Sequence, residues 1–400
     1  MKNYANVEVR GIEFFLLKYI VIFYPLLISL GRFIPFVETI LTLMMLFVLG
    51  LDCIVKRKLY IKYIVIALLF IGSARMDIQT ENHIAHIKVL LIFFLAIDCY
   101  NNGLYEKIAI YIEKNHNLLL TQIVIILIIN FLFMFLSIGY SNGYSSDWGF
   151  NAFQGIYTDP HQAAYHLCAL LVLVLIISQT DKKTRLLQYL IVFGMEYCIL
   201  TTGARVPTVL GLAIGMIYLI KNKIKIVGYT EVANRFFSYL PLIVFGIFAL
   251  YFCIFHTSFG AKILNASEGV SFDNGRGNLR KMDIELFQQS DVIHKIFGNG
   301  TQNTINSHAT QYSEPIWSHN DFFQILCGMG LFMALIYLVQ WLKLLVKMLK
   351  NKKLLGIFIV LICIAVAFYN GLYIHSRFVF VMPLLFLYFL KENKKSQKNV

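Results

Sequence analysis

The chain has 400 residues, of which 58% are hydrophobic, 34 are Phe and only 14% are charged. Soluble domains carry roughly 25% charged residues, so the composition excludes a string of soluble domains and points to one polytopic membrane domain over residues 1–400. The formal net charge of +13 would suit a nucleic-acid binder, but the basic residues follow membrane topology instead.

Residues 1–13 are polar, and no small-residue cleavage site follows the first apolar run, so that run reads as a retained helix and not a signal peptide. Crossing a hydrocarbon core takes about 17–25 apolar residues. Twelve runs approach that length, at about 14–30, 34–51, 59–74, 84–98, 117–139, 161–178, 187–202, 206–220, 236–255, 322–342, 354–371 and 376–390. With the N-terminus inside, the inside segments hold 23 Lys or Arg, whereas the short outside loops hold only Arg32, Arg75, Arg205 and Arg377. Residues 256–318 add five more, but long loops are exempt from the positive-inside rule. Both termini are therefore expected in the cytoplasm, and no nucleic-acid partner is expected. Ionisable residues within the runs are Lys18, Glu38, Lys62, Lys88 and Glu196. Charge inside a membrane marks function by default. Lys18 and Lys62 are near enough to helix ends to snorkel, while nothing specifies partners for Glu38 and Glu196.

Along the chain, His83 and His86 flank the fourth run without a ligand partner and read as structural. Segment 140–160 lacks Lys and Arg but carries Tyr140, Tyr144, Trp148, Phe150, Phe153 and Tyr157. These rings fit an interfacial belt or stacking on sugar faces. Asp159-Pro160-His161 opens the next run, with Asp159 a ready helix N-cap. Arg205 follows Thr201-Thr202-Gly203-Ala204 and stands two residues before Pro207, which favours a helix's first turn. A tight hairpin thus pins Arg205 at the outer surface, either as an ordinary interfacial arginine or as a bidentate clasp for phosphate.

Residues 256–318 form the one long hydrophilic stretch, the expected extracytoplasmic loop. Asp273-Asn274-Gly275 reads as a turn into a helix at about 276–290, capped by Asp273 or Asn274. Arg276 and Arg280 share one face of it, next to an apolar face of Leu279, Met282 and Leu286. Residues 296–319 show little periodicity and read as a mobile loop. His319, flanked by Ser318, Asn320 and Asp321, is expected at the N-terminal end of the next helix, where the helix dipole disfavours imidazolium and leaves a neutral base. His375-Ser376-Arg377 opens the last run from the outside. All seven cysteines lie in or beside apolar runs, without metal spacing or a disulfide framework. No His-Glu-x-x-His, Gly-rich phosphate loop or Gly-x-Ser-x-Gly is present.

Thr201-Thr202-Gly203-Ala204-Arg205 resembles the Thr-Gly-Ser-Arg motif of O-antigen polymerases and O-antigen ligases. Asn274-Gly275-Arg276, with Phe297-Gly298-Asn299-Gly300 further on, is similar to their second arginine segment. Ser318-His319-Asn320-Asp321, trailed by Gly328-Met329-Gly330-Leu331, resembles their His-Asn motif, and Asp159-Pro160-His161 their Asp-Pro-Asn segment. The resemblance spans about 120–390, with departures at Ala204, His161 and Met282, where the family has Ser, Asn and Trp.

It implies an all-α, GT-C-like protein of about twelve transmembrane helices in the bacterial cytoplasmic membrane, with one large extracytoplasmic loop. The implied activity is metal-independent and cofactor-free glycosyl transfer. A glycan on undecaprenyl pyrophosphate would pass to a hydroxyl of a second lipid-linked repeat unit, giving O-antigen or capsule. His319 would be the base. Arg205 and Arg276 would hold pyrophosphate, with Arg280 and Arg377 in reserve. Asp159, His161, Asn320, Trp148 and Tyr157 are candidate contacts to sugar or acceptor. Implied partners are the lipid-linked oligosaccharide, membrane lipids, a chain-length regulator and a flippase. A ligase acting on lipid A–core shares these motifs. A secondary transporter shares the helix count but would hold its coupling groups near the midplane, and a purely structural membrane protein would tolerate loss of Arg205 and His319 together.

Overall fold

The computed structural model describes residues 12–56, 61–141, 151–178, 184–221, 251, 257, 259–260, 276–309 and 315–391. Its helices are α1 (Ile12–Ser29), α2 (Pro35–Val55), α3 (Ile61–Ala74), α4 (Thr80–Asn101), α5 (Leu104–Lys114), α6 (His116–Phe135), α7 (Pro160–Ile177), α8 (Arg185–Thr201) and α9 (Arg205–Lys221). They continue with α10 (Arg276–Gln289), α11 (Val292–Phe297), α12 (Thr301–Ser307), α13 (Asp321–Met329), α14 (Leu331–Lys350), α15 (Leu354–Tyr369) and α16 (Ser376–Lys391). One two-stranded antiparallel ribbon pairs Tyr140 with Phe153 and Ser141 with Ala152.

Among the described residues five helices are long and apolar enough to cross a membrane: Phe36–Val55, Thr80–Asn101, His116–Phe135, Pro160–Ile177 and Leu331–Lys350. Five shorter apolar helices accompany them within α1, α3, α9, α15 and α16. The centre is α7, packed on α16, α9 and α8. Its sequence is apolar on every side, as a helix surrounded by others must be, and nearly every side chain from Ala163 to Ile177 is buried. The outer helices turn Phe36, Phe47, Phe135, Leu186 and Leu354 outward, as a lipid-facing surface requires.

The elements depart from the expected layout in three places. The inside segment 99–116 contains α5, which buries Leu104, Tyr105, Ile108, Ala109 and Ile112. The run 322–342 is two helices, broken at Gly330 with φ +87°. Residues 296–319 are not an irregular loop throughout: α12 and the end of α11 lie there. These short helices are held by polar contacts that hydrophobic periodicity cannot register. Gln302 N donates to Asp77 at 2.9 Å, Asn303 Nδ2 to the Met76 carbonyl at 2.6 Å, and Asn82 Nδ2 to Gln302 Oε1 at 2.7 Å. Lys62 forms an ion pair with Asp98 at 2.6 Å. The run 236–255, apart from Tyr251, lies outside the described residues, as do Asp273, Asn274, Tyr144, Trp148 and Phe150.

Candidate active site

Backbone placement comes first. Asp321 Oδ2 accepts from Tyr337 Oη at 2.6 Å, from Leu372 N at 2.8 Å and from Tyr373 N at 3.1 Å. A single buried carboxylate thus ties the start of α13 to the connection between α15 and α16. Gly371, at φ +78°, leaves room for the Trp317 ring, which occupies the place of a Cβ. On the other side, His308 bonds the Ile316 carbonyl through Nδ1 at 2.6 Å and Asp283 Oδ1 through Nε2 at 3.0 Å. The Ser318 hydroxyl lies 3.1 Å from that same Asp283 oxygen. Burial opposes the charged form of His308, but the bonds to Asp283 and Ile316 prevail and raise its pKa above the ordinary histidine value. Segment 315–319 is therefore clamped between α10 and the α15–α16 connection.

Between those clamps His319 takes a left-handed backbone, φ +51°, uncommon for a residue with a side chain. Asn320, extended at φ −153°, caps α13 by accepting from Phe323 N at 3.1 Å. The His319 ring meets Trp317 edge to face, with centroids 5.5 Å apart. Burial first, then the positive charge of Arg276 and of His308, pushes its pKa down to about 4. Desolvation and the neighbouring cations leave the imidazole neutral at pH 7.

His319 lines a cavity of about 430 Å³ where several helices begin. The first turn of α2 contributes Glu38, that of α7 His161 and Gln162 behind the cap Asp159, and that of α16 Ser376 and Arg377. Lys88 of α4, Trp317, Asn370 and His375 complete its polar wall. Helix N-termini present a positive dipole end, so their convergence favours an anion.

Arg377 is buried, with its two terminal nitrogens engaged and its Nε without a hydrogen-bond partner among the described residues. It pairs with Glu38 at 2.8 Å and lies 2.8 Å from His166 Nε2. Arginine remains protonated, so it donates and His166 Nε2 accepts, which puts the His166 proton on Nδ1. Asp159 caps α7 through His161 N at 2.8 Å and Gln162 N at 3.0 Å. Burial raises its pKa, the two backbone bonds oppose this, and Glu38 adds to the rise. His375 stacks on Tyr165 with centroids 3.6 Å apart; burial and the neighbouring His161, Arg377 and His319 keep it neutral.

The sequence-derived candidates sort unevenly around this cavity. His319, His161, Asp159 and Arg377 share its wall. Arg276 stands at its edge, donating to the Tyr369 carbonyl at 2.8 Å and to Asn370 Oδ1 at 3.0 Å. Arg280, one turn on, lies over the Phe368 and Tyr369 rings at 5.7 and 5.6 Å. Asn320 is buried as a cap, facing α13. Tyr157 is also buried: its hydroxyl is 3.5 Å from Ser29 Oγ and its ring meets His166 edge-on. It supports His166 and does not line the cavity. Arg205 opens α9 after a turn in which Gly203 has φ +66°, and it is not among the cavity-lining residues. Trp148 is outside the described residues. The sequence marks His166 as a weaker candidate one turn into the helix opened by Asp159-Pro160-His161, and it assigns no role in the site to Glu38, Lys88 or Asp321. Glu38 and Lys88 carried one usable signal, a charge inside an apolar run.

Two motifs far apart in sequence meet directly. Asn299 N donates to the Cys327 carbonyl at 2.7 Å and Gly300 N to the Gly328 carbonyl at 3.2 Å. A Cβ on Gly298 or Gly330 would strike the opposite backbone, so Phe297–Gly300 and Gly328–Leu331 pack main chain against main chain.

Compared with protein-family models, with curated protein sequences and with solved structures, the chain matches none of them.

Proposed function

We propose that this chain is an integral membrane glycosyltransferase that polymerises lipid-linked polysaccharide repeat units. The observation that carries the reading is the neutral, half-buried His319 sharing one cavity with Arg377, with Arg276 at its edge. In this reading the acceptor hydroxyl attacks the anomeric carbon of the donor glycan. The bond from that carbon to the pyrophosphate oxygen breaks, the hydroxyl proton passes to His319, and undecaprenyl pyrophosphate leaves with the bonding pair. A base on the acceptor and cations on the leaving group each lower the barrier. Arg276 and Arg377 neutralise the leaving group, with Arg280 behind them. Arg205 is one helix removed, on α9, which packs against α7 and α8; its place in the reading is contact with pyrophosphate beyond the cavity wall. Asp159 and His161 meet the sugar.

The same reading gives the chain twelve crossings in the bacterial cytoplasmic membrane, both termini cytoplasmic, and residues 256–318 outside. This topology puts the helix N-termini around the cavity at the outer face, where repeat units on the carrier are joined.

The test is complementation of a deletion strain and analysis of its surface polysaccharide. Wild type restores long chains, whereas His319→Ala and Arg276→Ala leave single repeat units on the acceptor at normal protein level. Loss of one charge-assisted hydrogen bond, about 1.5–3 kcal/mol, lowers the rate roughly 10–150-fold. Long glycan stranded on the lipid carrier in the deletion strain would instead identify a ligase. Unchanged polymer in both variants would end the reading.

A further inference from the structure

Lys88 lies eight residues into α4, on the cavity wall, and about 12 Å below the start of the helix at 1.5 Å per residue. It is half-buried within a span of membrane-crossing length. Among the described residues it makes no hydrogen bond, ion pair or ring contact, unlike Lys62 of α3, which is neutralised by Asp98. The nearby cation Arg377 is already matched by Glu38. An unmatched ammonium in an apolar span is costly, and folding alone supplies no reason for it.

Its surroundings supply one. The wall around it includes Thr39, Thr42 and Leu43 of α2 and Ala85 and Val89 of α4. Thr39 and Ala85 are exposed on the outside of the molecule, and Leu43 is 53% exposed. The cavity therefore reaches the bundle's side between α2 and α4, on a surface that also presents Phe36, Ile40 and Ile84. An opening there faces hydrocarbon, with a cation just inside.

We propose that Lys88 receives the phosphate headgroup of a membrane-anchored lipid that enters sideways between α2 and α4, its tail left among the exposed apolar side chains. Resting on the functional reading above, the occupant is the polyprenyl-pyrophosphate carrier, and Lys88 is its first anion contact before the headgroup reaches Arg377 and Arg276. An ordinary phospholipid offers a similar phosphate, so the test separates the two.

The full-length protein in nanodiscs is titrated with undecaprenyl pyrophosphate, with inorganic pyrophosphate and with phosphatidylglycerol, and binding is read by heat and by shift in melting temperature. For Lys88→Met the expected result is at least a tenfold loss of affinity for undecaprenyl pyrophosphate, with Lys88→Arg retaining most of it. The unliganded Lys88→Met protein should melt at the same temperature or higher, because a lone cation leaves the span; a structural lysine would give the opposite. Ala85→Trp should weaken undecaprenyl pyrophosphate binding at least tenfold and leave inorganic pyrophosphate unaffected, since the small anion needs no side entrance. Equal affinity of Lys88→Met and wild type for undecaprenyl pyrophosphate would overturn the proposal while leaving the glycosyltransferase reading intact. Lys88-dependent binding of phosphatidylglycerol alone would keep the lateral phosphate site and remove the polyprenyl carrier, and the functional reading with it.

Discussion

His319 unites two uncommon states, a left-handed backbone and a half-buried neutral ring between cations. Backbone strain of this sort persists only where the surroundings impose it, and it gathers at functional sites. Here Asp321, His308 and Trp317 impose it. Left-handed geometry costs a residue with a Cβ about 1–2 kcal/mol, whereas glycine is free of this cost. His319→Gly should therefore be at least as stable as His319→Ala in thermal unfolding, although neither turns over. The rate has a pH signature as well. The free protein's imidazole titrates near 4, and only its neutral form accepts a proton. The acid limb of kcat/KM, which reports the free enzyme, is thus expected near pH 4 and not near 6.5. A bound pyrophosphate adds negative charge and favours imidazolium, so the acid limb of kcat should lie at higher pH than that of kcat/KM. Coincident limbs in a pH series on purified enzyme would take the base role away from His319.

The elements around that residue hold one another by main-chain contact and by polar side chains, among them the His308–Asp283 pair. His308 has a raised pKa next to Asp283, so its contribution to stability is complete below the unfolded histidine value of about 6.5. It is lost as pH rises through the higher folded value. Thermal stability should decline across that window in wild type and stay flat in His308→Gln. Gly330→Ala meets two penalties, a φ of +87° and collision with the Ile296 carbonyl. It should destabilise the α11–α13 junction by more than the roughly 1 kcal/mol typical of a point substitution, measured as lost protein after solubilisation. Most helices were legible from the sequence because apolar runs bounded by charge force helices in a membrane. The 276–290 helix and the Asp159 cap were legible from turn and capping chemistry. The α11–α12 region was not, since Gln302, Asn303 and Asn82 dock by side-chain bonds with no period. Nor were the pairings of Arg377 with Glu38 and of Arg276 with Asn370, which join residues 339 and 94 apart in sequence. The histidine could be picked out by its neighbours in the chain, but which arginine faces it could not.

At the scale of the whole molecule, the apolar exterior and buried α7 describe a bundle dressed for lipid, with its cavity where α2, α7 and α16 begin. The proposed topology predicts how whole cells respond to an impermeant thiol reagent in a background lacking the seven native cysteines. Asp291→Cys, exposed between α10 and α11, should label, and Lys350→Cys, exposed at the end of α14, should not. The reverse pattern would put the cavity on the cytoplasmic side. The Asp321 carboxylate has a final consequence, in time as well as space. It fastens α13 to residues 372 and 373, and only beyond them comes Arg377, the cation that engages Glu38 of α2 and His166 of α7. A ribosome delivers α2, α4, α7 and His319 into the bilayer long before it delivers α16. Until that late helix threads in, Glu38 lacks its ion-pair partner and one wall of the cavity is missing. In the proposed reading, activity would begin only once α16 has inserted.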